Sequence, residues 1–138
     1  MHTIRLRGPW EKRATTDGSW RRVRVPETGM ETEVATDEMP KTEVTYRRRF
    51  NLPSGLGPKT SVFLEIARQT GQLVEVRINQ VQLASESRQN LDAATTEVTR
   101  YDVRDKLSAH NLVEIELVSE TADRPRLSGD VRLLIIES

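Results

Sequence analysis

Few residues in this chain of 138 are equipped for chemistry, and most of those suit binding better than catalysis. Recognition of a hydroxyl-rich ligand needs an aromatic face for its apolar side and planar polar groups for its hydroxyls. Trp20 stands where a loop meets a strand and could supply such a face. Arg88, Gln89, Asn90 and Asp92 cluster in one polar stretch and could donate and accept in pairs. A ligand, if bound, is expected at one end of the fold, on residues 12–19 and 85–99, with Trp20, Arg88, Asn90 and Asp92 as the contacting side chains. A solvated polar loop has the same composition as that second stretch.

Arg47, Arg48 and Arg49 invite a phosphate or nucleic-acid reading. They lie in an alternating run, however, so successive side chains point to opposite faces and the three do not converge on one ligand. Arg48 shares a face with Tyr46 and Phe50, and an inward arginine must be paired. A structural ion pair with a carboxylate such as Glu65 or Asp102 is the expected role, ahead of a ligand contact. Glu114 and Glu116 share a strand face and could imitate paired catalytic carboxylates, but with no matching acid–base partner in view a solvated face is the expectation. His2 and His110 are the only histidines and are far apart, and cysteine is absent. No metal site and no cofactor are expected, and no residue is expected to be catalytic.

The elements that must position these residues are strands. Residues 61–83 hold the clearest pattern: Val62, Leu64 and Ile66 alternate with Phe63 and Glu65, and Val74, Val76 and Ile78 alternate with Glu75, Arg77 and Asn79. This predicts a central strand pair joined by a polar turn. Shorter alternations at 4–6, 20–25, 44–50, 99–103 and 112–118 predict further strands, and the apolar run 131–136 predicts a strand covered on both faces. Asp102 can accept the amide hydrogens of one helical turn at 102–107. Residues 27–42 read as an acidic surface loop, 84–99 as a long loop, and 119–128 as a charged loop. With no long helical period, an all-β antiparallel sandwich follows.

Length and charge bound the answer further. One domain over 1–138 is expected, able to bury roughly 65–70% of the surface exposed by its unfolded chain. Lys plus Arg and Asp plus Glu number 21 each, so no net field favours a polyanion or a membrane surface, and neither nucleic acid nor membrane is an expected partner. No run of about 18 apolar residues is present, and the first ten residues carry no signal-peptide core. The compartment is left open.

The order of motifs resembles the N-terminal sugar-binding domain of family 2 glycoside hydrolases. Arg7-Gly8-Pro9-Trp10 is similar to that domain's opening Gly-x-Trp, residues 20–26 to its Trp-x-x-Val-x-Val-Pro strand, and residues 46–50 with Leu52-Pro53 to its Tyr-Arg-Arg-x-Phe strand. Glu75-Val76-Arg77-Ile78-Asn79 resembles its strand ending in Asn-Gly, and residues 101–107 with 111–115 resemble the Asp-Val-Thr-Asp and Glu-Asn-x-Leu run that follows. The resemblance implies a galactose-binding-like jelly roll, with Trp10, Trp20, Tyr46, Phe50 and Tyr101 as packing residues, Trp20 being the one whose place at a loop also allows a platform. It also implies a non-catalytic carbohydrate-binding module, since the catalytic carboxylates of those glycosidases belong to a separate barrel domain. Carbohydrate and a glycosidase catalytic domain are the implied partners. The alternative is a protein-interaction or scaffolding sandwich that has lost the sugar site. Two departures bear on this. Asn79-Gln80 replaces Asn-Gly, which predicts a wider hairpin tip because Gln resists a positive φ. Residues 85–99 also lack the Gly-Gly-aromatic element that the family often carries near its sugar.

Overall fold

The computed structural model describes residues 2–14, 19–26, 42–67, 69, 71–83, 87–90, 97–119 and 125–137. In chain order the strands are β1 (His2–Arg5), β2 (Trp10–Ala14), β3 (Arg21–Val23), β4 (Thr42–Asn51), β5 (Thr60–Ile66), β6 (Gln72–Ile78), β7 (Val81–Gln82), β8 (Ser87–Asn90), β9 (Glu97–Asp102), β10 (His110–Ser119) and β11 (Val131–Glu137). They form two antiparallel sheets: five strands in the order β1-β11-β5-β9-β8, and six in the order β3-β2-β4-β10-β6-β7. The all-β antiparallel jelly-roll sandwich is therefore the fold. Period-two alternation explains it, because each strand turns one set of apolar side chains to a shared core. Trp10, Tyr46, Val76, Ile78 and Ile115 enter that core from the six-stranded sheet, and Val62, Leu64, Ile66 and Leu133 from the other, all fully buried.

Three polar side chains in the core, Trp10, Tyr46 and Lys12, are bonded to backbone. The Trp10 indole Nε1 donates to the Leu6 carbonyl at 2.7 Å, and its ring meets Tyr46 edge to face at 6.4 Å. The Tyr46 hydroxyl accepts from the Leu127 amide at 3.1 Å. Lys12 lies in β2, not in a loop, and is buried; its ammonium sits 5.1 Å from the Tyr46 ring centroid and donates to the Pro125 carbonyl.

The 61–83 stretch is not a pair of neighbours. β5 lies in the middle of one sheet and β6 near the edge of the other, so the polar turn between them is a crossover. Gly71 makes this possible: its φ is +94°, and a Cβ there would stand 2.6 Å from the Val118 carbonyl oxygen. The apolar alternation of β6 also breaks. A bulge at Glu116/Leu117 opposes Glu116 to Glu75 and Leu117 to Leu73, leaving Val74 as the extra residue. Val74 is thus exposed while Leu73 packs on the core. Sequence periodicity placed Val74 with Val76 and Ile78 because a bulge leaves no mark in period two.

The β6–β7 tip is tight, not wide: Ile78 opposes Val81, and Asn79 and Gln80 take φ of 51° and 69°. Asn79 compensates. Its Oδ1 accepts from the Leu112 amide at 2.9 Å, and its Nδ2 donates to the Lys106 carbonyl and to Asn111 Oδ1. Within the supposed long loop, β8 pairs with β9 from Ser87↔Arg100 to Asn90↔Glu97. The helical turn forms at Arg104–Lys106, with Asp102 Oδ1 accepting from the Arg104 amide at 3.1 Å. β11 buries Val131, Leu133 and Ile135 on its core face, while on its outer face Leu134 is buried and Arg132 and Ile136 are partly exposed. The acidic stretch 27–41 and residues 120–124 lie outside the described residues.

Candidate functional site

The outer face of the six-stranded sheet is an ionic lattice. One row in register runs Arg22, Glu11, Arg47, Glu114, Arg77, alternating in sign across five strands. Cross-strand pairs of opposite charge stabilise a sheet. Arg47 Nε donates to Glu11 at 2.9 Å, and Arg77 reaches Glu116 at 3.0 Å, Glu114 at 3.5 Å and Glu75. Burial lowers the pKa of the Arg77 guanidinium, but the hydrogen bonds and charges of Glu116 and Glu114 outweigh it and the net shift is upward. Glu114 and Glu116 are thus not a free solvated face; Arg77 holds both.

On the other sheet Glu65 is buried, with Arg100 Nη2 at 2.8 Å and Arg132 Nη2 on its second oxygen. The register Arg132↔Glu65↔Arg100 produces this triad. Two guanidiniums lying over the carboxylate are what bury it on the outer face of a sheet.

Glu65 is therefore taken, and Asp102 accepts from the Arg104 amide, so neither pairs with Arg48. Among the described residues no carboxylate pairs with Arg48 at all. Its Nε donates to the Arg7 carbonyl at 3.3 Å and its Nη1 to the Arg49 carbonyl at 3.0 Å. Burial pushes the pKa of Arg48 down from the ordinary arginine value. The cause is topological. β2 pairs with β4 only from Glu11↔Arg47 to Ala14↔Val44, because the chain before Trp10 crosses to the other sheet as β1. Residues 48–51 of β4 are thus left without a partner on that side, and a cleft opens there.

That cleft has a volume of ≈ 390 Å³ and is lined by Arg5, Arg48, Arg49 and Asn51 over an apolar floor of Leu6, Phe50 and Leu133. A second, of ≈ 300 Å³, adjoins it and shares Arg48 and Arg49, adding Arg22, Arg47 and Glu11. Consecutive side chains on a strand point apart, as the sequence implied, yet at an open strand edge Arg48 and Arg49 reach the same space.

Trp20 is half-buried, with the Arg47 guanidinium carbon 3.7 Å and that of Arg13 4.5 Å from its ring centroid. Its ring is engaged by cations of the protein itself. Arg88 and Asn90 lie on β8, the edge of the five-stranded sheet farthest from β1, while Trp20 lies beside β3 and β2 in the other sheet. Asp92 lies outside the described residues. The arginine cleft was not assembled by sequence reasoning; its one signal was Arg48, an inward arginine needing a partner.

Comparison with family models and with curated protein sequences gave no match. Solved structures do match. A β-D-mannosidase from Dictyoglomus thermophilum superposes with a TM-score of 0.71 at 16% identity, covering 97% of this chain and 22% of that one. The fold is one that glycosidases carry. An FMN-binding β-glucuronidase from Facaelibacterium prausnitzii L2-6 superposes with a TM-score of 0.68 at 18% identity, covering 99% of this chain and again 22% of the other. The chain thus spans about a fifth of the length of these glycosidases. The sandwich agrees with the resemblance of its motifs to the N-terminal domain of family 2 glycoside hydrolases.

Proposed function

We propose that this chain is a non-catalytic, carbohydrate-binding accessory module of the glycoside hydrolase type. The observation that carries the proposal is the superposition of nearly the whole chain on a domain-sized part of two glycosidases. The arrangement of carboxylates supports it: Glu11, Glu65, Glu75, Glu114 and Glu116 each sit in an ion pair with arginine, which suits scaffold and not acid–base exchange. A glycosidase acid–base pair needs carboxyl groups free to trade protons across a bound sugar.

A glycan array followed by calorimetric titration tests the binding claim. Saturable binding of at least one glycan class is expected, and none at millimolar sugar would overturn it. Hydrolysis of a panel of nitrophenyl glycosides by the purified chain would refute the non-catalytic claim.

A further inference from the structure

We propose that the cleft between β1 and the unpaired end of β4 binds the carboxylate of an acidic sugar, a uronate unit within an acidic glycan, with Arg48 as the recognising fork and Arg5 and Arg49 as flanking charges. This rests on the carbohydrate reading above and names the class of sugar and its site.

The free hydrogen-bonding capacity comes first. A guanidinium carries five N–H groups. Arg48 uses two, on the Arg7 and Arg49 carbonyls, so three remain, and they belong to a half-buried group facing a cleft. Elsewhere on the molecule Arg47, Arg77, Arg100 and Arg132 each hold a carboxylate of the protein. Among the described residues Arg5, Arg48 and Arg49 do not. Among the described residues the cleft they line holds no acidic side chain, so its local charge is positive although the chain is neutral overall.

The planar fork of arginine matches a carboxylate in two parallel hydrogen bonds. Beside it, the partly exposed Ile4 and Pro53 offer an apolar edge and Asn51 an amide. An anionic head, an apolar face and hydroxyl partners together describe a uronic acid. At ≈ 390 Å³ the cleft lies at the small end of ligand sites, which run from about 300 to 1,000 Å³. The adjoining cleft, sharing the Arg48–Arg49 wall, gives a neighbouring sugar unit a place. A single-stranded nucleic acid would instead need open aromatic platforms for its bases. Trp20 is engaged by two guanidiniums and Phe50 is only 8% exposed, so neither cleft offers one.

The test is calorimetric titration of the full chain at low salt with trigalacturonate, its methyl ester, a neutral galactose trisaccharide, a sulfated trisaccharide and a short single-stranded oligonucleotide. Trigalacturonate is expected to bind most tightly, with the methyl ester and the neutral sugar weaker by about tenfold or more, the worth of a charge-assisted fork. Arg48→Gln should lose a similar factor, and the exposed Arg5→Gln and Arg49→Gln about two- to fivefold each, with binding falling as salt rises. Should Arg48→Gln not fold, the Arg5→Gln/Arg49→Gln double variant decides. Equal binding of acid and ester, or acid binding indifferent to all three arginines, would overturn this site while leaving the carbohydrate reading intact. Tighter binding of the sulfated sugar or the oligonucleotide would overturn the carboxylate assignment, no binding of trigalacturonate would overturn this site, and only an empty glycan array would overturn the carbohydrate reading as well.

Discussion

Asn111 is buried at 4% exposure and joins the start of β10 to the helical turn and to the β6–β7 tip. Its Oδ1 accepts from the Ser108 amide at 2.8 Å and from Asn79 Nδ2 at 3.0 Å, while its Nδ2 donates to the Ser108 carbonyl at 2.9 Å. A fourth bond, to the Phe50 carbonyl at 3.4 Å, is long and adds little. Asn111→Ala removes three good bonds at about 1 kcal/mol each, so the loss should be about 3 kcal/mol. That is a large part of a total stability of about 5–15 kcal/mol. In urea, with an m-value of about 2 kcal/mol per M, the midpoint should fall by about 1.5 M with m unchanged. Asn111→Asp is the sharper variant. It keeps the acceptor but turns a second oxygen on the Ser108 carbonyl, so its folded-state pKa must rise above the unfolded value of about 3.9. Its stability should accordingly be highest in acid and fall as pH rises through that range, opposite to an ordinary salt-bridged Asp. A loss under 1 kcal/mol for the Ala variant, or an Asp variant indifferent to pH between 3 and 6, would refute the assignment of this network.

Other substitutions follow from the same structure. Glu65→Leu strands two guanidiniums that are each about one-third exposed, so it should cost about 2–3 kcal/mol, below the usual 3–5 for a fully buried pair. Thermal unfolding checks this, and replacing Arg100 and Arg132 by Met in the same chain should restore most of the loss. Gln80→Gly relieves a side chain held at φ 69° and should stabilise by about 0.5–1 kcal/mol; a neutral or negative result in urea would contradict the two-residue turn. Gly71→Ala should cost more than about 2 kcal/mol, because the Cβ meets a backbone oxygen at a φ that alanine avoids, and a wild-type midpoint would contradict the crossover geometry.

Sequence periodicity carried most of the strands, because alternation and burial are the same fact seen twice. Val113, Ile115 and Leu117 were readable as one buried face, and they are. Periodicity does not say which sheet a strand joins. β5 and β6 read as partners because they are adjacent in sequence, yet the connection at Gly71 carries the chain to the opposite layer. Nor does it register a bulge, so Val74 was assigned to the wrong face. β2 was missed since Lys12, a core residue here, reads as a polar loop residue unless the Tyr46 ring beside it is known.

The arginines show why the site was harder to read than the fold. Arg47, Arg48 and Arg49 look like one motif, but the strand divides them among different tasks. Arg47 joins the alternating ionic row and stacks on Trp20. Arg48 points inward and would need a carboxylate, had β2 continued far enough to close the sheet edge over it. Because β1 leaves for the other sheet, that edge stays open, and the side chain makes do with two carbonyls and faces a cleft shared with Arg49. The difference between a structural arginine and one with hydrogen bonds to spare therefore lies in where a neighbouring strand begins. That property of pairing register is set by residues far away in the chain, which is why a local reading of three consecutive arginines could not reach it.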